Sequence, residues 1–155
     1  DFLNSVKTAL MFNNWINEHD EEFLLEQYNI RPGELRSKLE LAEWLLYASE
    51  ELCKIMHYQY LIKEIVKLRL RLKYGVKEEL LTLVRLENIG RVRARQLFRN
   101  RLRDIKDLKS ADLTTLTQIL GEKVALSIKK QLGQEQIEVP ENKRKGQISL
   151  RDWEE

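Results

Sequence analysis

The sequence predicts an all-α fold: a helical bundle, then a small helix-hairpin-helix domain and a flexible tail. Three observations carry this. Apolar residues recur at helical spacing from Phe2 to Leu132, residues that start or stop helices punctuate them, and no strong strand signal interrupts them. Beyond Leu132 the periodicity stops, and Gly133 to Glu155 is polar, with Pro140 and the triplet Lys143-Arg144-Lys145. The divisions fall at residues 1–75, 76–132 and 133–155.

Phe2 to Glu18 predicts an amphipathic helix, with Phe2, Val6, Leu10 and Ile16 on its spacing. Asp20 is placed to cap a second helix whose first turn holds Glu21 and Glu22 and whose Phe23, Leu24 and Tyr28 face inward. Asn29 to Gly33 breaks it, and Pro32 is tolerated in the first turn of the next helix. That third helix, from about Gly33 to His57, is long and two-faced. Leu35, Leu39, Ala42 and Leu46 form one stripe. At roughly 100° per residue, Trp44 lies opposite them with Ser37, Glu40, Tyr47 and Glu51. A Trp on a polar face either packs on another domain or stacks on a base or ring. Tyr58 to Tyr74 is a fourth helix, although Lys67 to Tyr74 drifts into an alternation that also suits a strand. Gly75 fits the position just past a helix end, and the basic last turn complements the helix dipole.

Val76 to Glu87 and Arg91 to Arg99 predict two short helices joined at Asn88-Ile89-Gly90. Asn and Gly tolerate positive φ, so the joint reads as a tight hairpin. Free N–H groups at the start of the second helix, followed by Arg91, Arg93 and Arg95, suit a phosphate. Asn88, Gly90 and the three arginines are therefore a candidate grip on nucleic-acid backbone; the alternative is a hairpin with a solvated basic face. Asp104 to Leu108 predicts a short connecting helix, and Ser110 a cap for the helix from Ala111. Leu120-Gly121 followed by Val124, Ala125 and Ile128 looks like a second, degraded hairpin.

Net charge is only +2, but residues 1–57 carry 5 Lys/Arg against 11 Asp/Glu, whereas residues 63–106 carry 14 against 5. That asymmetry places an anionic partner on the middle of the chain. A single cysteine, Cys53, excludes an internal disulfide and a Cys-based metal site, and His19 and His57 lack ligand spacing. The sequence has no Gly-rich phosphate loop ending in Lys-Ser/Thr, no acidic metal cluster and no Ser/His or Cys/His pairing, so no catalytic residue, metal site or cofactor of its own is expected. Asp104 and Asp107 are candidates by position alone, with Lys123 weaker. No apolar run approaches membrane-spanning length and no signal peptide is seen; the expected setting is reducing and cytoplasmic, alongside the nucleoid. The chain opens without Met and already in a helical pattern, which reads as a fragment of something longer.

In the tail, Gln147, Leu150 and Trp153 are spaced three apart and fit a linear peptide that anchors in a pocket. They resemble the short motif that binds the sliding clamp of DNA replication. That motif usually carries two adjacent aromatics, and here Glu154 follows Trp153.

Three further stretches carry a wider resemblance: Glu34-Leu35-Arg36 leading to Leu41-Ala42-Glu43-Trp44-Leu45-Leu46-Tyr47-Ala48, then Tyr74-Gly75-Val76-Lys77-Glu78-Glu79-Leu80-Leu81, then Ile89-Gly90-Arg91-Val92-Arg93-Ala94-Arg95. In this order they resemble the archaeal superfamily-two DNA helicases of the Ski type, over about residues 5–132 and within that family's C-terminal region. The resemblance implies that residues 1–75 are a ratchet domain closing around the translocating strand and that residues 76–132 bind the strand leaving the motor. It implies that Trp44 stacks on a base. The family's stacking arginine, two turns earlier, falls on Ser37, so neighbouring Arg36 is the expected substitute. Arg91, Arg93 and Arg95 match a motif that restrains ATP hydrolysis until DNA is engaged. The implied function is the single-stranded-DNA-binding part of an ATP-dependent 3′-to-5′ helicase for repair or restart of stalled forks. ATP and Mg are implied for motor domains elsewhere in the polypeptide, and single-stranded or forked DNA is the implied partner. The competing expectation is a stand-alone adaptor linking DNA to the sliding clamp.

Overall fold

The computed structural model describes residues 2–133, and the tail peptide with Gln147, Leu150 and Trp153 lies outside them. The elements are α1 Phe2–Ile16, α2 Glu21–Tyr28, α3 Pro32–Ile55, α4 Gln59–Tyr74, α5 Arg91–Arg99, α6 Ile105–Ser110, α7 Leu113–Leu120 and α8 Glu122–Gln131, with a 3-10 turn at Glu78–Leu80. The protein is all-α, and the alternating stretch Lys67 to Tyr74 is the end of α4. Helix pairs its backbone groups within the segment, whereas a strand there would find no ladder partner among the described residues.

α3 and α4 form the most extensive helix pair, joined by a tight turn in which His57 takes φ +61°. Tyr58 N–H closes that turn on Cys53 O at 2.9 Å. Glu50 on α3 is 8 % exposed and accepts bonds from Arg69 Nη1 at 2.6 Å on α4 and from Lys54 Nζ at 2.7 Å on its own helix. Those bonds, the one from Lys54 foremost, hold its carboxyl below the ordinary value against the opposing effect of burial.

Two buried clusters hold the chain. Met11, Leu24, Tyr28 and Leu35 pack together, with Phe12 and Trp15 at their edge. The larger cluster gathers Val76, Leu80, Leu83, Val84, Leu97, Leu116 and Ile128, with Leu70 and Tyr74 of α4 leaning on it. The α1 stripe does not turn inward as its spacing suggests. Phe2, Val6 and Leu10 are exposed, and Met11 and Ile16 carry the burial. α1 meets only α2 and α4 extensively, so one side of it stays uncovered.

Several expected local features are replaced by neighbours. Residues 76–87 form a 3-10 turn followed by linked turns rather than an α-helix; Leu80, Leu81 and Leu83 N–H each bond three residues back. Leu80, Leu81, Leu83 and Val84 are buried while Glu78, Glu79, Thr82 and Arg85 are exposed, so the segment is two-faced, and its bonds to the third residue back wind it tighter than an α-helix. At the hairpin, Asn88 takes positive φ (+65°), while Gly90 is extended at φ −97°. Asp20 precedes α2 with no side-chain cap bond. Asp112, not Ser110, caps α7, accepting Thr115 N–H at 2.9 Å, while the Ser110 hydroxyl donates back to Lys106 O. The α7–α8 pair, turning at Gly121 (φ +84°), is the second hairpin.

Gly75 ends α4 in the left-handed region at φ +62°, and a Cβ there would sit 2.6 Å from Trp15 Cε2. The Trp15 ring cannot yield freely, because its Nε1 donates to Leu72 O at 2.6 Å. Gly75→Ala therefore combines backbone strain with a clash, and should cost about 1–3 kcal/mol. Urea denaturation checks this: the midpoint falls while the slope is kept.

Candidate nucleic-acid interface

Two exposed regions bring together the side chains suited to a nucleic acid. The first is on α3. Trp44 is 62 % exposed and, with Glu40, Glu43, Tyr47 and Arg69, lines an open groove. Arg69 lies over the Tyr47 ring, 5.4 Å from its centroid, and is itself held by Glu50. The helix places Trp44 there because Leu35, Leu39, Ala42 and Leu46 take the opposite side toward the rest of the bundle. Arg36 does not line this groove but pairs with Glu40 at its edge, Nε to Oε1 at 3.0 Å, and it borders a separate cleft with Trp15, Pro32 and Leu39. Ser37, at the family's arginine position, is exposed.

The second region is the hairpin. Gly90 is the residue before α5, exposed, and a Cβ there would meet nothing within 4 Å. Its bareness leaves the first N–H groups of α5 open to an approaching oxygen. Asn88 is exposed, and its carbonyl accepts Arg93 Nη1 at 2.8 Å, which holds Arg93 beside the hairpin tip. Val92, 69 % exposed, and Gln96 share this outward face.

Arg91 and Arg95 lie on the other face of α5. Arg95 makes a forked pair with Glu18, Nε to Oε2 at 2.7 Å and Nη2 to Oε1 at 2.5 Å, and its Nη1 reaches Glu79 at 2.7 Å. Arg91 Nη2 donates to His19 O at 2.7 Å, and its guanidinium lies over Trp15 at 5.3 Å. Burial pushes Arg91 below its ordinary pKa, against the charges of Glu18 and Asp20. Burial likewise pushes the Glu18 carboxyl up. The hydrogen bonds from Arg95 and Lys77 N–H and the nearby arginine charges outweigh it, so the net shift is downward.

A carboxyl lowered on folding contributes stability above its unfolded pKa and loses it as pH falls through the folded value. The stability gap between this chain and Glu18→Gln should therefore be full at neutral pH and close below the ordinary glutamate range. Thermal melts at stepped pH check this.

Glu18 is the residue that sequence reasoning missed. Two arginines four apart on one helix face signal a shared acidic partner, but this partner is 77 residues away along the chain. Asp104 caps α6, accepting Asp107 N–H at 2.8 Å, and Asp107 accepts the N–H of Arg103, the residue before the cap, at 2.9 Å. Among the described residues, no group of three or more His, Cys, Asp or Glu is placed to hold a metal. None of the described helices is long and apolar enough to cross a membrane.

An extended helix pair bearing an exposed Trp is followed by a hairpin with a basic tip, and residues 1–75 match the family model for archaeal helicase, domain 4. The relatives are more particular. The chain is 39 % identical over 150 residues to the ATP-dependent DNA helicase Hel308 of Pyrococcus horikoshii, covering 95 % of this chain and 21 % of that protein. It is 43 % identical over 154 residues to the Hel308 of Thermococcus kodakarensis, covering 95 % and 14 %. With the Hel308 of Methanocaldococcus jannaschii the figures are 41 % over 131 residues, 84 % and 11 %. Over nearly its whole length the chain is thus similar to part of the archaeal Hel308 helicases. It spans about a fifth or less of the length of these relatives.

Proposed function

We propose that this chain is the single-stranded-DNA-binding part of an ATP-dependent 3′-to-5′ DNA helicase that works at stalled or branched forks. The observation that carries the reading is Trp44, held 62 % exposed on the long helix α3 beside Tyr47. A flat aromatic offered to solvent stacks on any unpaired base and ignores sequence, as a strand-tracking element must. The hairpin supplies the complementary contact, with the bare α5 terminus at Gly90, Asn88 and the Arg93 guanidinium meeting phosphate. Residues 1–75 and 76–132 act as two domains, one on the bases and one on the departing backbone.

ATP and Mg belong to motor domains outside this chain. The described residues do not fit either group: they bring no acidic cluster together, and the glycines form no phosphate loop. The tail peptide Gln147, Leu150 and Trp153 is proposed to anchor on the replication sliding clamp. A peptide of residues 143–155 should bind the clamp and lose that binding in Trp153→Ala; no binding would remove the adaptor reading.

The direct test is fluorescence anisotropy of a labelled single strand, against duplex, over a range of salt. Single-strand preference that falls steeply with salt is expected. Arg93→Ala should lessen the salt slope by about one. Gly90→Ala should leave stability within about 0.5 kcal/mol, since its Cβ meets nothing, yet weaken binding several-fold by crowding the phosphate. No single-strand binding at low salt would overturn the reading.

A further inference from the structure

The turn between α1 and α2 gathers contacts from every side. The Glu18 carboxylate accepts Lys77 N–H at 3.0 Å, at the joint after α4, as well as both Arg95 donors. His19 O accepts Arg91. Ile16 O accepts Arg71 Nη2 at 3.4 Å, and Arg71 Nε also reaches Val76 O at 3.3 Å. Trp15 packs against Gly75 and carries the Arg91 guanidinium on its ring. Bundle, joint and hairpin helix thus meet at residues 15–19.

We propose that Glu18 is a positioning residue, and that Arg91 and Arg95 act through this turn to set the hairpin domain against the bundle, leaving Arg93 as the arginine of the three that meets the strand. The last clause rests on the nucleic-acid reading above; the clasp itself does not. Helical geometry separates the roles. Arg91 and Arg95 stand about 40° apart around α5, and Arg93 about 200° from Arg91. The Glu18 and Arg95 side chains keep only 13 % and 20 % of their exposure, so a phosphate reaching Arg95 would have to displace a forked, partly desolvated carboxylate. The joint at Gly75 to Lys77 is a single backbone crossing whose last helical residue yields to a left-handed glycine. Contacts beyond the joint therefore decide where Arg93 sits relative to Trp44.

The test uses the full 155-residue chain. Glu18→Gln and Arg95→Ala should each weaken single-strand binding by about 3- to 10-fold, and the double variant should be no weaker than either single one. Both should keep the wild-type salt slope, because neither removes a phosphate contact, whereas Arg93→Ala loses about one. Glu22→Gln, exposed on α2, controls for bulk charge. Tighter binding in Glu18→Gln, additive losses, or an Arg95→Ala slope lower by about one would overturn the proposal and make Arg95 a phosphate ligand that Glu18 opposes. A second measurement needs no DNA. Spin labels at Lys38→Cys and Lys123→Cys, in a Cys53→Ser background, report the distance between bundle and hairpin domain. Glu18→Gln should broaden that distribution, and an unchanged one sinks the clasp. Failure of the chain to bind any single strand would remove the nucleic-acid reading while the spin-label result still decides the clasp.

Discussion

Trp44→Ala is expected to weaken binding of a single strand by about 5- to 150-fold, the equivalent of the roughly 1–3 kcal/mol that stacking of a base on an aromatic contributes. Trp44 has no buried role to lose, since 62 % of its surface is exposed and the apolar stripe of α3 lies on the opposite side. Stability should therefore change by less than about 0.5 kcal/mol. Trp44→Phe should recover part of the affinity, because a smaller ring still offers a face. The loss should be similar for different base sequences, and its salt slope unchanged, because stacking displaces no counterion. In a full-length helicase of this type, the same change should lower unwinding more than ATP hydrolysis, as loss of a pawl would; equal losses would refute that role. Titration of labelled oligonucleotides with the two variants supplies the first measurement.

Lys129→Met is expected to produce the largest loss of stability, about 2–4 kcal/mol, with little change in strand affinity at temperatures where the variant is folded. Lys129 is 6 % exposed on α8, and its Nζ donates to Leu108 O and Lys109 O at 3.1 Å each and to Ala111 O. Three N–H donors meet three carbonyls at the end of α6, where a helix leaves such groups without partners. Burial lowers the ammonium's pKa, partly opposed by the charge of Asp112. Methionine fills a similar volume but strands the carbonyls away from water, so the cost is unmet polar groups rather than a cavity. For a domain of this size the melting temperature should fall by roughly 10–20 °C. A shift of a degree or two would mean that water replaces the amine at those carbonyls.

The arginines show where reading residues in order stops short. Their alternation with Val92 and Ala94 is plain in the sequence, and so is the basic character of the hairpin. Their division between two faces follows from helical spacing alone, but what each face meets does not. Arg95 meets Glu18 because α1 and the hairpin fold together, and nothing near Arg95 in the chain announces that partner. Trp44 was legible for the opposite reason. Its meaning lies in its own helix, where an aromatic stands outside the apolar stripe.

Local chemistry by itself determined most of the helices and the place of the hairpin. Helix periodicity, a proline at the first turn of α3 and a glycine after α4 act within a few residues, so their consequences can be read along the chain. Tertiary structure decided the rest. Residues 76–87 have an apolar run that suits a helix, yet they wind into tight turns whose leucines and valines enter the larger buried cluster. The α1 stripe looks inward-facing, yet Phe2, Val6 and Leu10 stay exposed and only Ile16 of it is buried. The Glu18 clasp and the Lys129 anchor join groups from distant parts of the chain, and electrostatics between such groups depends on where folding places them.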